Sequence, residues 1–468
     1  MKRIFTIFAV ATVLVATGCR GWLDINSDPN YVKEAGMASL LPTAQLYTAE
    51  KVGYDISLYG NFWAQYVTQN KNTNQYYTIF TNDIKSSDFN SPWSYIYASI
   101  LPTLKEVIAQ AGAGDKSTNF LLEGKSMLAY ELYLLTSLYD KVAYTEGYLT
   151  ESITPHFDSG EDMQKNIVTL LEEIRGMDAA KAKQDEASNS SKKADMVFGG
   201  NTDAWFQFVN TLYLKMLMRD FTANQSKITS LLAENNFLAR DAAFDNFEDK
   251  ADKSNPLYES DRRNLNTNAN IRSCSDILKV LSDTDPRLAY YYDQNPDGKF
   301  AGPAYGDQGD PTNTSRLAIG ATDPVYFGTV DEAEFLKAEA YARLGKEANA
   351  KTAYDAALKA AFVRAGIKAD DAAAFLAGHY VFAAGTTEEM VEQIINQKWA
   401  SNIRCMPIEA WFDMNRTGYP VRGTTITEFH GILANGYPQR FLYAKQSADY
   451  NPNSPETVDL NVKMWWHK

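Results

Sequence analysis

Two stretches of this chain concentrate residues that can hold a sugar. The first, Tyr54 to Tyr95, contains Trp63, Tyr66, Asn70, Asn72, Asn74, Gln75, Tyr76, Tyr77 and Trp93. The second, Ala243 to Phe327, contains Tyr258, Arg262, Arg263, Asn264, Tyr290, Tyr291, Tyr292, Tyr305 and Tyr326. Aromatic faces stack on the C–H patches of sugar rings, and amide and guanidinium groups bond ring hydroxyls. The same set can hold a peptide. For any one large aromatic, packing in the core is the commoner role. The densest run is Asn70 to Tyr77, NKNTNQYY, polar and loop-like with two tyrosines at its end. Adjacent side chains in a loop point different ways, so one of Tyr76 and Tyr77 is expected to face a ligand. The candidate ligand residues are Trp63, Tyr66, Asn74, Tyr76, Tyr77, Arg263 and Tyr305.

Chemistry beyond binding has little support. The four histidines, His156, His379, His430 and His467, show no zinc-hydrolase spacing. There is no GxSxG, hence no nucleophile elbow. Gly112-Ala113-Gly114 lacks a third glycine and a preceding strand. Asp293 to Gly298, DQNPDG, opens like a calcium loop, but the position for its closing acid falls on Ala304. An Asx/Gly turn is the expectation there. Paired carboxylates are unmarked in so acidic a chain. No catalytic residue, metal or cofactor is assigned, and the chain is not expected to be an enzyme.

One cysteine has its own chemistry. Met1-Lys2-Arg3 is a basic start, and Ile4 to Val15 is an apolar run of signal-peptide length. Ala16-Thr17-Gly18-Cys19 then resembles a bacterial lipobox, in which the cysteine becomes lipidated after cleavage. Residues 1–18 are expected to be a signal peptide, 19–35 an extended lipidated tether, and 36–468 one body. Arg20 follows the cysteine where an Asp would signal inner-membrane retention. Cys274 and Cys405 make no disulfide framework and suit buried apolar positions. The net charge of −13, with basic residues dispersed, argues against a nucleic-acid partner.

Helices must position these groups. Asp331 to Ala365 holds two patterns of helical spacing around Gly345-Lys346. Leu336, Ala340 and Leu344 mark the first; Ala350, Ala353, Tyr354, Ala357, Leu358 and Ala361 mark the second. Small residues let two such helices approach closely, and Gly345 can end the first with a positive φ. This hairpin resembles a tetratricopeptide unit. Further helices are expected over Trp93 to Ala109 with a boundary at Pro102, Phe120 to Tyr139, Asp162 to Ile174, Asp203 to Phe221, Thr387 to Ile403 and Glu409 to Met414. Taken in order they make four hairpins. Lys181 to Asp195 reads as a solvated polar insertion. The class is mainly α: TPR-like helical hairpins with loop-rich packing segments.

Several motifs agree in order along the chain. They are LDINSDPN (Leu23 to Asn30), LLPTAQLY (Leu40 to Tyr47), NTLYLKMLMR (Asn210 to Arg219) and FLKAEA (Phe335 to Ala340). Gln397-Lys398-Trp399, EAWFDMNRTGYP (Glu409 to Pro420) and Pro438-Gln439-Arg440-Phe441 follow. Together they resemble the SusD/RagB family of outer-membrane lipoproteins. Two segments depart from its pattern: Leu138 to Tyr144, LYDKVAY, and Asn415 in place of an arginine. The resemblance implies a SusD-like body with four TPR-like units. It implies a surface lipoprotein that binds an oligosaccharide or peptide and passes it to a SusC-like TonB-dependent transporter. Two other readings are a lipid-anchored glycan hydrolase and a TPR-type protein–protein adaptor. Glu339, Trp399 and Trp411 lie in these motifs and are expected to be structural, with Glu339 needing a basic or backbone partner.

Overall fold

Helix ends are set where the sequence supplies a cap. The computed structural model describes residues 35–114, 117–187, 192–264, 269–422 and 436–468. The first helices are α1 (Met37–Lys51) and α2 (Ser57–Trp63). Asn90–Tyr95 leads through a widened turn, Ile96–Ile100, into α3 (Leu101–Gly112). Pro102 falls in the first turn of α3, where its missing N–H costs no helical bond. So the run expected as one helix from Trp93 is broken next to its proline. Ser117 caps α4 (Thr118–Tyr139) by accepting from the Phe120 N–H. Then come α5 (Gly160–Arg175), α6 (Ala179–Ala187), α7 (Thr202–Met218) and α8 (Phe221–Glu234). Thr329 caps α9 (Val330–Arg343), and α10 (Glu347–Arg364) follows a turn in which Gly345 has φ +68°. Thr386 and Glu389 form a capping box on α11 (Thr387–Ser401). Pro407 starts α12 (Pro407–Thr417), which ends at Gly418 in the left-handed conformation.

These helices pack in the pairs α3/α4, α5/α7, α9/α10 and α11/α12, as helical hairpins. Contacts of α4 with α5 and α7, of α7 with α9, and of α9 with α11 join the pairs. α1, α8 and the sheets were not read from the sequence. α1 lies on α3 and α4 with Leu41, Ala44 and Ala49 buried. One small antiparallel sheet has the order β1 (Val67–Gln69), β3 (Ile271–Ser273), β5 (Arg316–Leu317), β4 (Tyr292–Asp293). β2 (Ala242–Phe244) pairs with β6 (Val325–Gly328). The first sheet therefore joins the two aromatic stretches. Gly60 lets α2 press on the start of α12; a Cβ there would lie 2.4 Å from the Ile408 nitrogen.

The insertion expected at Lys181 to Asp195 is corrected on both sides of residues 188–191, which lie outside the described part. Residues 181–187 belong to α6, and the insertion's last residue is buried. Asp195 accepts from the Val197, Phe198 and Gly200 N–H groups, from Gln45 and from Trp205 Nε1. Five donors make burial of this carboxylate tolerable. A polar run thus hides the anchor that ties the α7 entry to α1. Asn295 likewise makes a closed turn: its Oδ1 accepts from the Asp297 and Lys299 N–H groups at 3.0 and 2.9 Å. Cys274 is buried and Cys405 partly so.

Charged side chains are buried in the core of the late hairpins. Glu339 accepts from Arg343 Nε at 2.8 Å and from both terminal nitrogens of Arg416 at 2.7 Å. Lys215 bridges Glu332 at 2.7 Å and Glu409 at 3.0 Å, and Lys398 meets Asp413 at 2.7 Å. The family-like motifs FLKAEA, QKW and EAWFDMNRTGYP supply most of this network.

Candidate ligand-binding site

The Asn70–Tyr77 run is a tightly held turn at the end of β1. Gln69 organises it from below. Its Nε2 donates to the carbonyls of Asn70 and Thr73, both at 3.0 Å, and its Oε1 accepts from the Tyr76 N–H at 2.8 Å. Asn70 Oδ1 accepts from the Asn72 N–H at 2.9 Å, an Asx turn. Asn70 Nδ2 donates to the Ala269 carbonyl at 3.1 Å. The Lys71 N–H donates to the Gly309 carbonyl, and the Lys71 ammonium pairs with Asp310. Asn72, Asn74, Gln75 and Tyr77 point outward from this frame. Tyr77 is 45% exposed, with Phe80 6.0 Å from its ring centre. A flat, exposed ring on a rigid turn, flanked by amides, is suited to sugar stacking.

Tyr76 points the other way. It is 2% exposed, and its ring packs 6.1 Å from Phe62. Its hydroxyl lies beside Tyr54 and Ser260, and burial raises its pKa above the ordinary tyrosine value. Trp63 and Tyr66 are core residues, contrary to their expected place on a ligand face. Trp63 donates to Asn82 Oδ1 at 3.2 Å and lies 4.8 Å from the Trp411 ring. Tyr66 donates to the Trp399 carbonyl and packs against the Trp399 ring. The physical reason is that α2 is buried from Leu58 to Trp63 and that Tyr66, just past its end, lies against Trp399, so neither ring has a solvent face. Tyr305 is half-buried near Cys274, Tyr437 and Arg422, with its N–H on Asp276. Its chain neighbours Asp307 and Gly309 reach β1 and the turn, through Thr68 and the Lys71 N–H.

A cleft of about 790 Å³ lies between α1 and the segment before and after Pro256. Leu46, Tyr54, Phe247 and Pro256 give it apolar surface; Glu248, Asp252 and Glu259 give it carboxylates. Tyr54 and Ser260 line this cleft and also meet Tyr76, so the Asn70–Tyr77 turn backs onto its wall. Arg263 stands at the same wall: Nη2 reaches Asp249 at 2.6 Å and Nε reaches Glu259 at 3.0 Å. Glu259 Oε1 is buried and meets no donor among the described residues. The arrangement combines apolar rings with hydrogen-bond acceptors, as a pocket for a polyol needs. Sequence reading missed the α1 side, Leu46 and Glu50, because the helix was legible only as a motif. In the structure Leu46 is 44% exposed on this side, which no pattern in the sequence marks.

Among the described residues, no group of three or more His, Cys, Asp or Glu side chains is placed to hold a metal. No described helix is long and apolar enough to cross a membrane.

Solved structures share this fold. A SusD homologue from Bacteroides uniformis superposes with a TM-score of 0.77 at 19% identity, over 92% of this chain and 99% of that one. A chitin-binding protein gives 0.76 at 21% identity, over 92% and 100%. A chitin-binding SusD homologue from Flavobacterium johnsoniae gives 0.71 at 18% identity, over 92% and 97%. No curated protein matches the chain significantly. The family model described as "Starch-binding associating with outer membrane" matches residues 29–444, nearly the whole described body, and the chain belongs to this SusD-like family.

Proposed function

We propose that this protein captures an oligosaccharide at the outer membrane, without chemistry, and delivers it to a SusC-like TonB-dependent transporter. The observation that carries this reading is the family match over residues 29–444. The exposed Tyr77 on its braced turn, with the cleft behind it, supports the ligand class. The chitin-binding relatives make chitin fragments a first choice for the panel, beside starch fragments and peptides. Ligand contacts are assigned to Tyr77, Asn74, Arg263 and the cleft residues Tyr54 and Phe247. Tyr76 supports the turn from beneath. Tyr305, Trp63 and Tyr66 act through the fold.

The test is calorimetry or affinity electrophoresis against that panel. Tyr77→Ala is expected to weaken the best ligand by about tenfold, the loss of one stacking contact of roughly 1–3 kcal/mol by analogy with base–aromatic stacking. The melting temperature should stay put, because the ring is exposed. Unchanged affinity would move the site off the turn. Release of new reducing ends from any glycan in the panel would favour the hydrolase reading instead.

The anchor is the acylated Cys19, which lies outside the described residues. One acyl chain binds a membrane only marginally, whereas a triacylated cysteine holds firmly. Cys19→Ala is expected to shift the protein out of the membrane fraction with no change in melting temperature. Membrane retention of that variant at the wild-type level would count against lipidation.

A further inference from the structure

Several elements meet below the C-terminal end of α7 and bring there donor atoms that have no acceptor among the described residues. Arg219 follows α7 and lies over the Trp466 ring, 4.4 Å from its centre. One of its nitrogens reaches Ser137 Oγ on α4. The Trp466 and His467 rings are 4.2 Å apart. Asn415 of α12 accepts from Arg422 Nη2 at 2.6 Å through its Oδ1 and from the Lys468 N–H at 3.0 Å through its carbonyl. These contacts make one cluster of five side chains. Each has a buried polar atom with no partner among the described residues: Arg219 Nη1, Asn415 Nδ2, Arg422 Nε, Trp466 Nε1 and His467 Nε2.

All five atoms are donors. His467 Nδ1 accepts from the Met464 N–H at 3.3 Å, so the neutral ring carries its proton on Nε2. Trp466 is 5% exposed and Asn415 3%, so solvent does not relieve them. Buried donors in folded proteins are almost always paired. Five orphans in one cluster are therefore a demand for an acceptor.

The cluster is also cationic. Burial, then Arg219, Arg422, Lys463 and Arg440, lower the His467 pKa to about 3. Burial lowers the Arg422 pKa to about 10 and also lowers that of Arg219. The acids nearby are engaged elsewhere, and the Tyr133 hydroxyl beside Arg219 is a neutral acceptor whose own proton goes to Glu409. Glu409 is held by Lys215 at 3.0 Å and by the Tyr133 hydroxyl at 2.6 Å. Asp140 faces Arg440 at 4.0 Å. Arg416, a further cation near Arg219, is taken by Glu339 and Asp413. Lys463 donates to the Lys468 carbonyl.

We propose that Arg219, Asn415, Arg422, Trp466 and His467 form a binding site for a tetrahedral inorganic oxyanion, phosphate or sulfate. Such an ion offers acceptors in several directions at once, and its charge answers the two guanidinium groups. It would tie α7, α12 and the Met464–Lys468 tail together, away from the Tyr77 turn. Binding to the folded state alone stabilises that state.

The experiment is calorimetry and thermal melting of the whole chain in potassium phosphate or sulfate, against potassium chloride at matched ionic strength. The native protein is expected to bind one phosphate. Arg422→Gln and Trp466→Phe should each weaken it by roughly tenfold or more, the loss of one bond to a charged group. In chloride, Trp466→Phe should melt near the native temperature, since it removes an unpaired buried donor, whereas Arg422→Gln should melt lower, since it also gives up the bond to Asn415. A proton NMR spectrum near neutral pH adds a readout on the native chain: phosphate should shift the Trp466 indole N–H resonance, because that donor gains a charged acceptor. The proposal is overturned if phosphate and sulfate raise the melting temperature of the native chain and both variants equally, as excluded salts do in general. It is also overturned if phosphate leaves the Trp466 indole resonance unmoved. A sugar sulfate monoester binding as tightly as inorganic sulfate would overturn the free-ion form and assign the cluster to an ester group.

Discussion

Trp411→Ala is expected to cost about 3–5 kcal/mol of folding stability, the range for truncating a buried tryptophan. Trp411 is fully buried at the junction of α12 with α2 and the Phe441 segment. Its Nε1 donates to the Pro438 carbonyl at 3.0 Å, so truncation also leaves that carbonyl unpaired. Its ring packs on Trp63 and Phe412 at 4.8 and 5.4 Å. Urea unfolding measures the loss; Trp411→Phe should lose less, because most of the ring area remains. Ligand affinity of the residual folded protein should be unchanged. A variant that keeps its melting temperature but no longer binds ligand would mean that this ring is a contact and not a support.

Glu339→Gln should cost about as much, roughly 3–5 kcal/mol, because it strands two cations. Arg416 and Arg343 both point at this carboxylate, and the guanidinium of Arg416 makes two parallel bonds to it. Burial alone would raise the Glu339 pKa. Arg416 and Arg343 outweigh it and hold the carboxyl far below the usual carboxylate range. The folded pKa is thus depressed relative to the unfolded one, near 4.3. The ion pair's contribution is complete above that value and is lost as pH falls below it. The native protein should therefore lose stability steeply between about pH 4 and pH 2, with the unfolded pKa setting the upper limit. Glu339→Gln should start lower and fall less steeply over that range, as read from melting temperature against pH. Parallel curves for the two proteins would show that another carboxylate governs acid unfolding.

The helical pattern from Asp331 to Ala365 was readable to within a residue or two, because both helices bury one face and end at a glycine. α5 was readable for the same reason, and α4, α7 and α11 through their apolar residues. α1 and α8 were not. α1 carries an internal proline and buries polar Gln45 and Thr48 beside its alanines, so no clean apolar stripe marks it. The Lys181 to Asp195 run misled for a different reason. Its composition is that of a solvated loop, yet Asp195 is buried by five donors that come from elsewhere in the chain or from the turn it folds.

The sequence alone determined the helical hairpins, the family to which the chain belongs and the structural place of Glu339, Trp399 and Trp411. Those depend on local periodicity, capping residues and motifs whose order is written along the chain. Composition also located the two aromatic stretches, which the small sheet does bring together through β1 and β3. Only the tertiary structure decided which of their rings reach solvent. Tyr76 and Tyr77 are neighbours of identical chemistry, and the hydrogen bonds of Gln69 and Asn70 turn one inward and one outward. Trp63 and Tyr66 are as aromatic as any platform, but α12 and α11 arrive from more than 300 residues later to cover them. Exposure is a property of what else packs nearby, and no local pattern records that.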